Sequence, residues 1–168
     1  IPQSFDSILS TCKLTLFLFI IPCKISWSFL ILINIDWIGL KNNEFDNTFD
    51  EIHAYEVLEH TGSQGDYKFF FAQFDEFYRI LKPDGFIIAT VPVWNSIWAF
   101  GDPSHTRTIQ GESLIFLDQS VYTERVGISP MSDFRYIYKS DFKLLDQKTA
   151  DMTFAFVLQA VKPSRISI

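Results

Sequence analysis

Only 7 of the 168 residues are glycine, and no two of them stand in a G-x-G pair. That excludes the kind of turn in which paired glycines let a backbone come close to a ligand. Cysteine occurs twice, at Cys12 and Cys23, without CxxC spacing. A disulfide-rich secreted scaffold and a cysteine zinc ribbon are therefore excluded. The two thiols read as free, buried groups of a cytoplasmic protein. Basic residues are outnumbered, 14 against 20 acidic, for a formal net charge of −6. No cationic excess exists to neutralise phosphates, so no nucleic-acid partner is expected. What is abundant is apolar surface: 48% of residues are hydrophobic and 18 are phenylalanine. A chain of this length and composition forms a core and is not intrinsically disordered.

Charge is unevenly spread. Residues 1–40 hold four charged side chains, Asp6, Lys13, Lys24 and Asp36, and the other 30 follow. The run Leu14–Ile35 is long enough to span a bilayer. Pro22, Lys24, Ser26, Ser28 and Asn34 interrupt it, and a lysine near a membrane-helix centre costs roughly 3 kcal/mol. Ile1–Ser10 carries no basic residue, so a secretory leader is not expected. The run reads instead as two buried strands, or a strand and a short helix, of an α/β sheet. Residues 1–41 are accordingly set apart from a domain over 42–168. Because the chain opens on Ile1, it is expected to be N-terminally incomplete.

From residue 42 the chain is well punctuated. Phe49–Val57 reads as a strand entering a core. Asp66–Leu81 places aromatic and apolar residues at 67, 70, 71, 74, 77, 78 and 81, one buried stripe of a helix. Asp66 suits the helix start and Pro83-Asp84-Gly85 its stop. Phe86–Pro92 reads as a second buried strand. Strand, helix and strand with short links make a βαβ crossover, hence a parallel pair. Trp94–Gln110 is expected to be a long loop, and Glu112–Asp118 a short helix. Phe142–Lys148 and Thr153–Val161 read as a closing antiparallel hairpin.

Ligands of open α/β sheets bind beyond the carboxyl ends of the strands. Three groups fall there: Tyr55–His60, Val91–Asn95 and Gly101–Arg107. Glu59-His60 either orients a ligand or caps the following loop. Asp102, His105 and Arg107 either form a substrate pocket or fold their own loop. Trp94 and Trp98 either wall that pocket or cap the core. A metal site from His60, Asp102 and His105 is not expected, since no close-spaced ligand pair supports it.

The strings FDEIHAYEVLEH, FYRILKPDG and FIIATVP, at these spacings, resemble class I S-adenosylmethionine-dependent methyltransferases of the type 11 branch. Phe49, Asp50, Ile52, Val57, Leu58, Glu59 and His60 match the first string of that pattern. Arg79, Leu81, Lys82, Pro83 and Gly85 match the second, with Asp84 in place of a glycine. DPSHTR at 102–107 is similar to the family's D-P-x-H-x-R loop. The resemblance covers roughly residues 42–163 and implies a Rossmann-like, mostly parallel sheet with a C-terminal antiparallel hairpin. It implies S-adenosylmethionine as cofactor, met by Asp36, Tyr55, Glu56 and Val57. It also implies a small-molecule methyl acceptor near Trp94, Asp102 and Arg107. His105 and His60 are the candidate bases, because a neutral imidazole exists near pH 7. The missing glycine turn leaves an alternative: a cofactor-free, methyltransferase-derived scaffold.

Overall fold

The computed structural model describes Thr15–Leu18 and residues 45–166. Within these, five strands form one sheet: β1 (Thr15–Leu18), β2 (Phe49–Tyr55), β3 (Leu81–Pro92), β4 (Phe142–Ala150) and β5 (Thr153–Ala160). Their order across the sheet is β1-β2-β3-β5-β4. β1 runs parallel to β2 and β2 to β3, while β3/β5 and β4/β5 are antiparallel. The described sheet is therefore mixed, with two parallel and two antiparallel pairings and an antiparallel hairpin at its C-terminal end, as expected. The closing hairpin takes the half of the sheet beyond β3, where β5 alone runs against the other four strands.

Helix α1 (Tyr67–Ile80) makes the crossover between β2 and β3. Asp66 caps it, its carboxylate accepting from the Phe69 N–H at 3.0 Å, as the sequence predicts. The aromatic stripe is core: Phe71, Phe74, Phe77 and Ile80 are buried. The strands answer with a period of two. Ile52 and Ala54, Ile87, Ala89 and Val91, and Phe154, Phe156 and Leu158 are buried. Pairing aligns Ile52 with Ile87, Ile87 with Leu158 and Leu158 with Leu144. This continuous row sets the register, since a one-residue slip would turn it to the other face. Ile87→Val is expected to cost about 1 kcal/mol, read as a lower urea midpoint with an unchanged slope.

Three local readings differ from the structure. Helix α1 hands over directly to β3, which begins at Leu81 and takes in the Pro83-Asp84-Gly85 turn as an irregularity opposite Phe49–Glu51. There Asp84 has φ 62. A Cβ on Gly85 would meet the backbone oxygens of Asp50 and Lys82 at 3.0 Å, so close approach demands glycine here. The long loop contains a short helix, α2 (Ile97–Gly101). The short helix expected at 112–118 is a helical turn, α3 (Gly111–Leu114), followed by a 3-10 turn, and a further helix, α4 (Gln119–Arg125), lies beyond it. α4 is too short to show a periodic stripe, but Asp118 caps it, accepting from Ser120 N at 2.8 Å.

Asp141 ties the C-terminal part together. It is fully buried. Its carboxylate accepts from Gln119 N at 3.0 Å, Arg165 N at 2.9 Å, Arg165 Nε at 2.7 Å and Arg165 Nη2 at 2.8 Å.

Candidate functional site

β2 and β3 end on the same side because they are parallel. After Tyr55 the chain turns sharply: Glu56 has φ 51, a left-handed backbone held by a non-glycine residue. Val57 and Leu58 drop into the core. Leu58–His60 then forms a 3-10 turn. This turn carries Glu59 and His60 to the end of the sheet.

The 102–107 loop docks onto that turn through backbone. Thr106 N and Arg107 N donate to the Glu59 carbonyl at 2.8 and 3.2 Å, and Gln64 N donates to the Thr106 carbonyl at 2.8 Å. The loop also folds itself. Asp102 Oδ1 accepts from Ser104 N at 2.8 Å and from Ser104 Oγ at 2.6 Å. These two bonds hold the Asp102 carboxyl below the usual carboxylate range. The docking brings His105 against His60, ring centroids 4.5 Å apart and edge to face.

The hydrogen-bond network decides which nitrogen of each ring carries the proton. His105 Nδ1 lies 2.7 Å from the Trp98 carbonyl, which can only accept, so Nδ1 is protonated. His60 Nδ1 lies 3.1 Å from Ser104 Oγ. The Ser104 hydroxyl already donates to Asp102, so it accepts from His60 Nδ1. Both rings are left with a free lone pair on Nε2. Burial, and then the neighbouring His105, push the His60 pKa down, which keeps its ring neutral.

Glu59 completes the cluster. It is only 2% exposed, and neither carboxylate oxygen has a hydrogen-bond partner. His60 Nε2 stands 3.9 Å from Oε1, too far for a hydrogen bond. Burial pushes the Glu59 carboxyl up to about 8, and repulsion from Glu56 adds to the rise. A raised folded-state pKa means that stability is fully present below the ordinary value of 4.5 and is lost as pH climbs through about 8. Between pH 6.5 and 9, with a chelator present, wild-type stability should fall. Glu59→Gln should flatten that fall, removing a loss on the order of 2 kcal/mol between pH 6.5 and 9. Parallel curves for the two proteins in denaturant titrations would exclude it.

Other expected site residues are placed as follows. Tyr55 and Glu56 are exposed at the strand end, and the Tyr55 hydroxyl is 2.9 Å from His53 Nδ1. The Val57 side chain is in the core, and its carbonyl accepts from His60 N. Arg107 is 4% exposed and lies between the rings of Phe69 and Phe70, with its guanidinium carbon 5.7 and 5.6 Å from their centroids. Its Nη2 donates to the Ser63 and Asp66 carbonyls at 3.0 and 3.3 Å, pinning the start of α1. It also borders a cavity of about 220 Å³ walled by Tyr67, Phe70, Phe116 and Phe134. Trp94 is exposed and borders a separate depression with Gln110, Glu112 and Gln147. The structure thus joins Glu59, His60, Asp102 and His105 and sets Trp94 and Arg107 apart from one another. Asp36 and most of the 14–35 run lie outside the described residues. No helix among those described is long and apolar enough to cross a membrane. The sequence offered no sign that Glu59 would be left unpartnered.

The described residues place Tyr55 and Glu56, both exposed, at the carboxyl end of β2. They do not provide a glycine cradle. Gly62 is the nearest approach to one, and the protein itself fills it: a Cβ there would meet Phe69 Cδ1 at 2.5 Å.

No family model and no curated relative matches the chain. Similar solved structures are S-adenosylmethionine-dependent and type 11 methyltransferases at low identity. A SAM-dependent methyltransferase from Archaeoglobus fulgidus is 14% identical over 68% of this chain and 61% of its own length, with a TM-score of 0.40. A Sulfolobus solfataricus protein described as a type 11 methyltransferase is 17% identical over 94% of this chain and 76% of its own, at 0.45. A SAM-dependent methyltransferase from Methanosarcina mazei is 17% identical over 69% and 61%, at 0.36. The chain spans less than two thirds of the first and third of these proteins.

Proposed function

We propose that the protein to which this chain belongs transfers a methyl group from S-adenosylmethionine to a small-molecule acceptor. The observation that carries this is the union of two strings far apart in sequence. VLEH and DPSHTR, both similar to methyltransferase motifs, meet at the carboxyl ends of parallel strands through the bonds from Thr106 and Arg107 to Glu59. The cofactor, when bound, supplies an already activated methyl group. The protein's part is to align the acceptor, exclude water and take a proton where the acceptor carries one. His105 and His60 suit the last role, since each has an Nε2 lone pair and the His60 ring is held neutral. The acidic net charge and the apolar cavity beside Arg107 favour a small acceptor over a nucleic acid.

A second reading is a cofactor-free scaffold derived from such an enzyme. The absence of any G-x-G pair favours it. Calorimetric titration of the full chain with S-adenosylhomocysteine separates the two. The proposal expects micromolar binding, about −8 kcal/mol. No heat at millimolar ligand would establish the scaffold reading for this chain.

A further inference from the structure

We propose that Glu59, His60 and His105 form a binding site for one divalent first-row transition-metal ion. One ligand atom from each of the three lies within 4.8 Å of the others. The two histidines present their donors in the state an ion requires. His105 gives its Nδ1 proton to the Trp98 carbonyl and His60 gives its own to Ser104, so both Nε2 lone pairs are free. Metal-bound histidines typically hold their other ring N–H in this way, against a carbonyl or a carboxylate-linked group. Here Asp102 stands behind the Ser104 hydroxyl at 2.6 Å.

The carboxylate is the decisive member. A buried carboxyl with no hydrogen bond is costly, and Glu59 is 2% exposed with both oxygens unpartnered. An ion between it and the imidazoles supplies the missing partner. Bonds of about 2.0–2.2 Å would draw the donors roughly 1 Å closer together. The backbone that sets their spacing is already fixed by the bonds from Thr106 and Arg107 to the Glu59 carbonyl. Two imidazole nitrogens and one carboxylate favour zinc, iron, cobalt or nickel over magnesium or calcium, which prefer all-oxygen shells. His60 and His105 keep 16% and 8% of their side chains exposed, so the ion would have an open face. Resting on the methyl-transfer reading, that face would hold and acidify an oxygen of the acceptor.

The test is a calorimetric titration of Zn²⁺ into the full chain in chelator-free buffer, without cofactor. One equivalent should bind with Kd of about 1 µM or tighter. Glu59→Gln and His105→Ala should each weaken it by at least about tenfold. His53→Gln and the double change Cys12→Ser/Cys23→Ser should leave it intact. No binding, equal binding in both site variants, or loss of binding in either control would overturn the proposal. Imidazole NMR of the unmodified chain covers the case in which a site variant misfolds. The chain has three histidines; the His60 and His105 rings should shift with Zn²⁺ and the His53 ring should not. A shift confined to His53, or none, would also overturn it. Because no cofactor is present, either result leaves the methyl-transfer reading to its own experiment.

Discussion

His105→Ala should lower methyl transfer by about 10²–10⁴-fold, the loss expected for a group that moves a proton or holds the acceptor. Affinity for S-adenosylhomocysteine should be unchanged, because the expected cofactor contacts lie on Asp36, Tyr55, Glu56 and Val57. The effect is large because the ring is held in one orientation: Nδ1 is committed to the Trp98 carbonyl at 2.7 Å, and Nε2 faces the cluster. Removing the ring also leaves that carbonyl without its donor, so folding must be read separately. Transfer should fall far more than the folded fraction measured by circular dichroism. Wild-type turnover in His105→Ala would remove this residue from the chemistry.

Asp141→Ala should be the most damaging single change to stability, about 3–5 kcal/mol in urea denaturation. Asp141 is fully buried and accepts both from the start of α4 and from Arg165. Alanine leaves the Arg165 guanidinium without its main partner; only Asp118 Oδ1, at 2.9 Å from Nη2, remains. It also leaves Gln119 N, which is buried, without an acceptor. Asp141→Asn keeps an acceptor oxygen and should cost clearly less. Equal losses for the two substitutions would mean that the carboxylate's negative charge beside Arg165, not its volume or a single acceptor oxygen, is what the position supplies.

The crossover unit was legible because its signals are local. Seven apolar residues at helical spacing, an aspartate at the helix start and β-branched runs on either side specify β2, α1 and β3 without reference to anything distant. The hairpin was legible for the same reason: alternation continues on both sides of a two-residue turn where Asp151 takes φ 53. The handover at Leu81 was missed because Pro-Asp-Gly is a turn signal whether it ends a segment or bulges a strand, and only pairing with β2 distinguishes the two. α4 was missed because its stability comes from burying Gln119 and Tyr122 and from its Asp118 cap, not from periodicity.

The candidate site divides along the same line. The sequence alone determined that Glu59-His60 would stand at a strand's carboxyl end and that DPSHTR would be a polar loop, since both follow from strand ends and turn chemistry. Only the tertiary structure decided that the two meet. Loop docking depends on backbone bonds between residues remote in the chain, and no spacing rule encodes those. The same docking shuts Glu59 away from water and from partners, turning an ordinary carboxylate into the most displaced acid at the site. It also turns Arg107 aside, to stack between Phe69 and Phe70 and hold the start of α1. Burial and orientation belong to the packed whole, because they depend on what the rest of the chain leaves around a side chain.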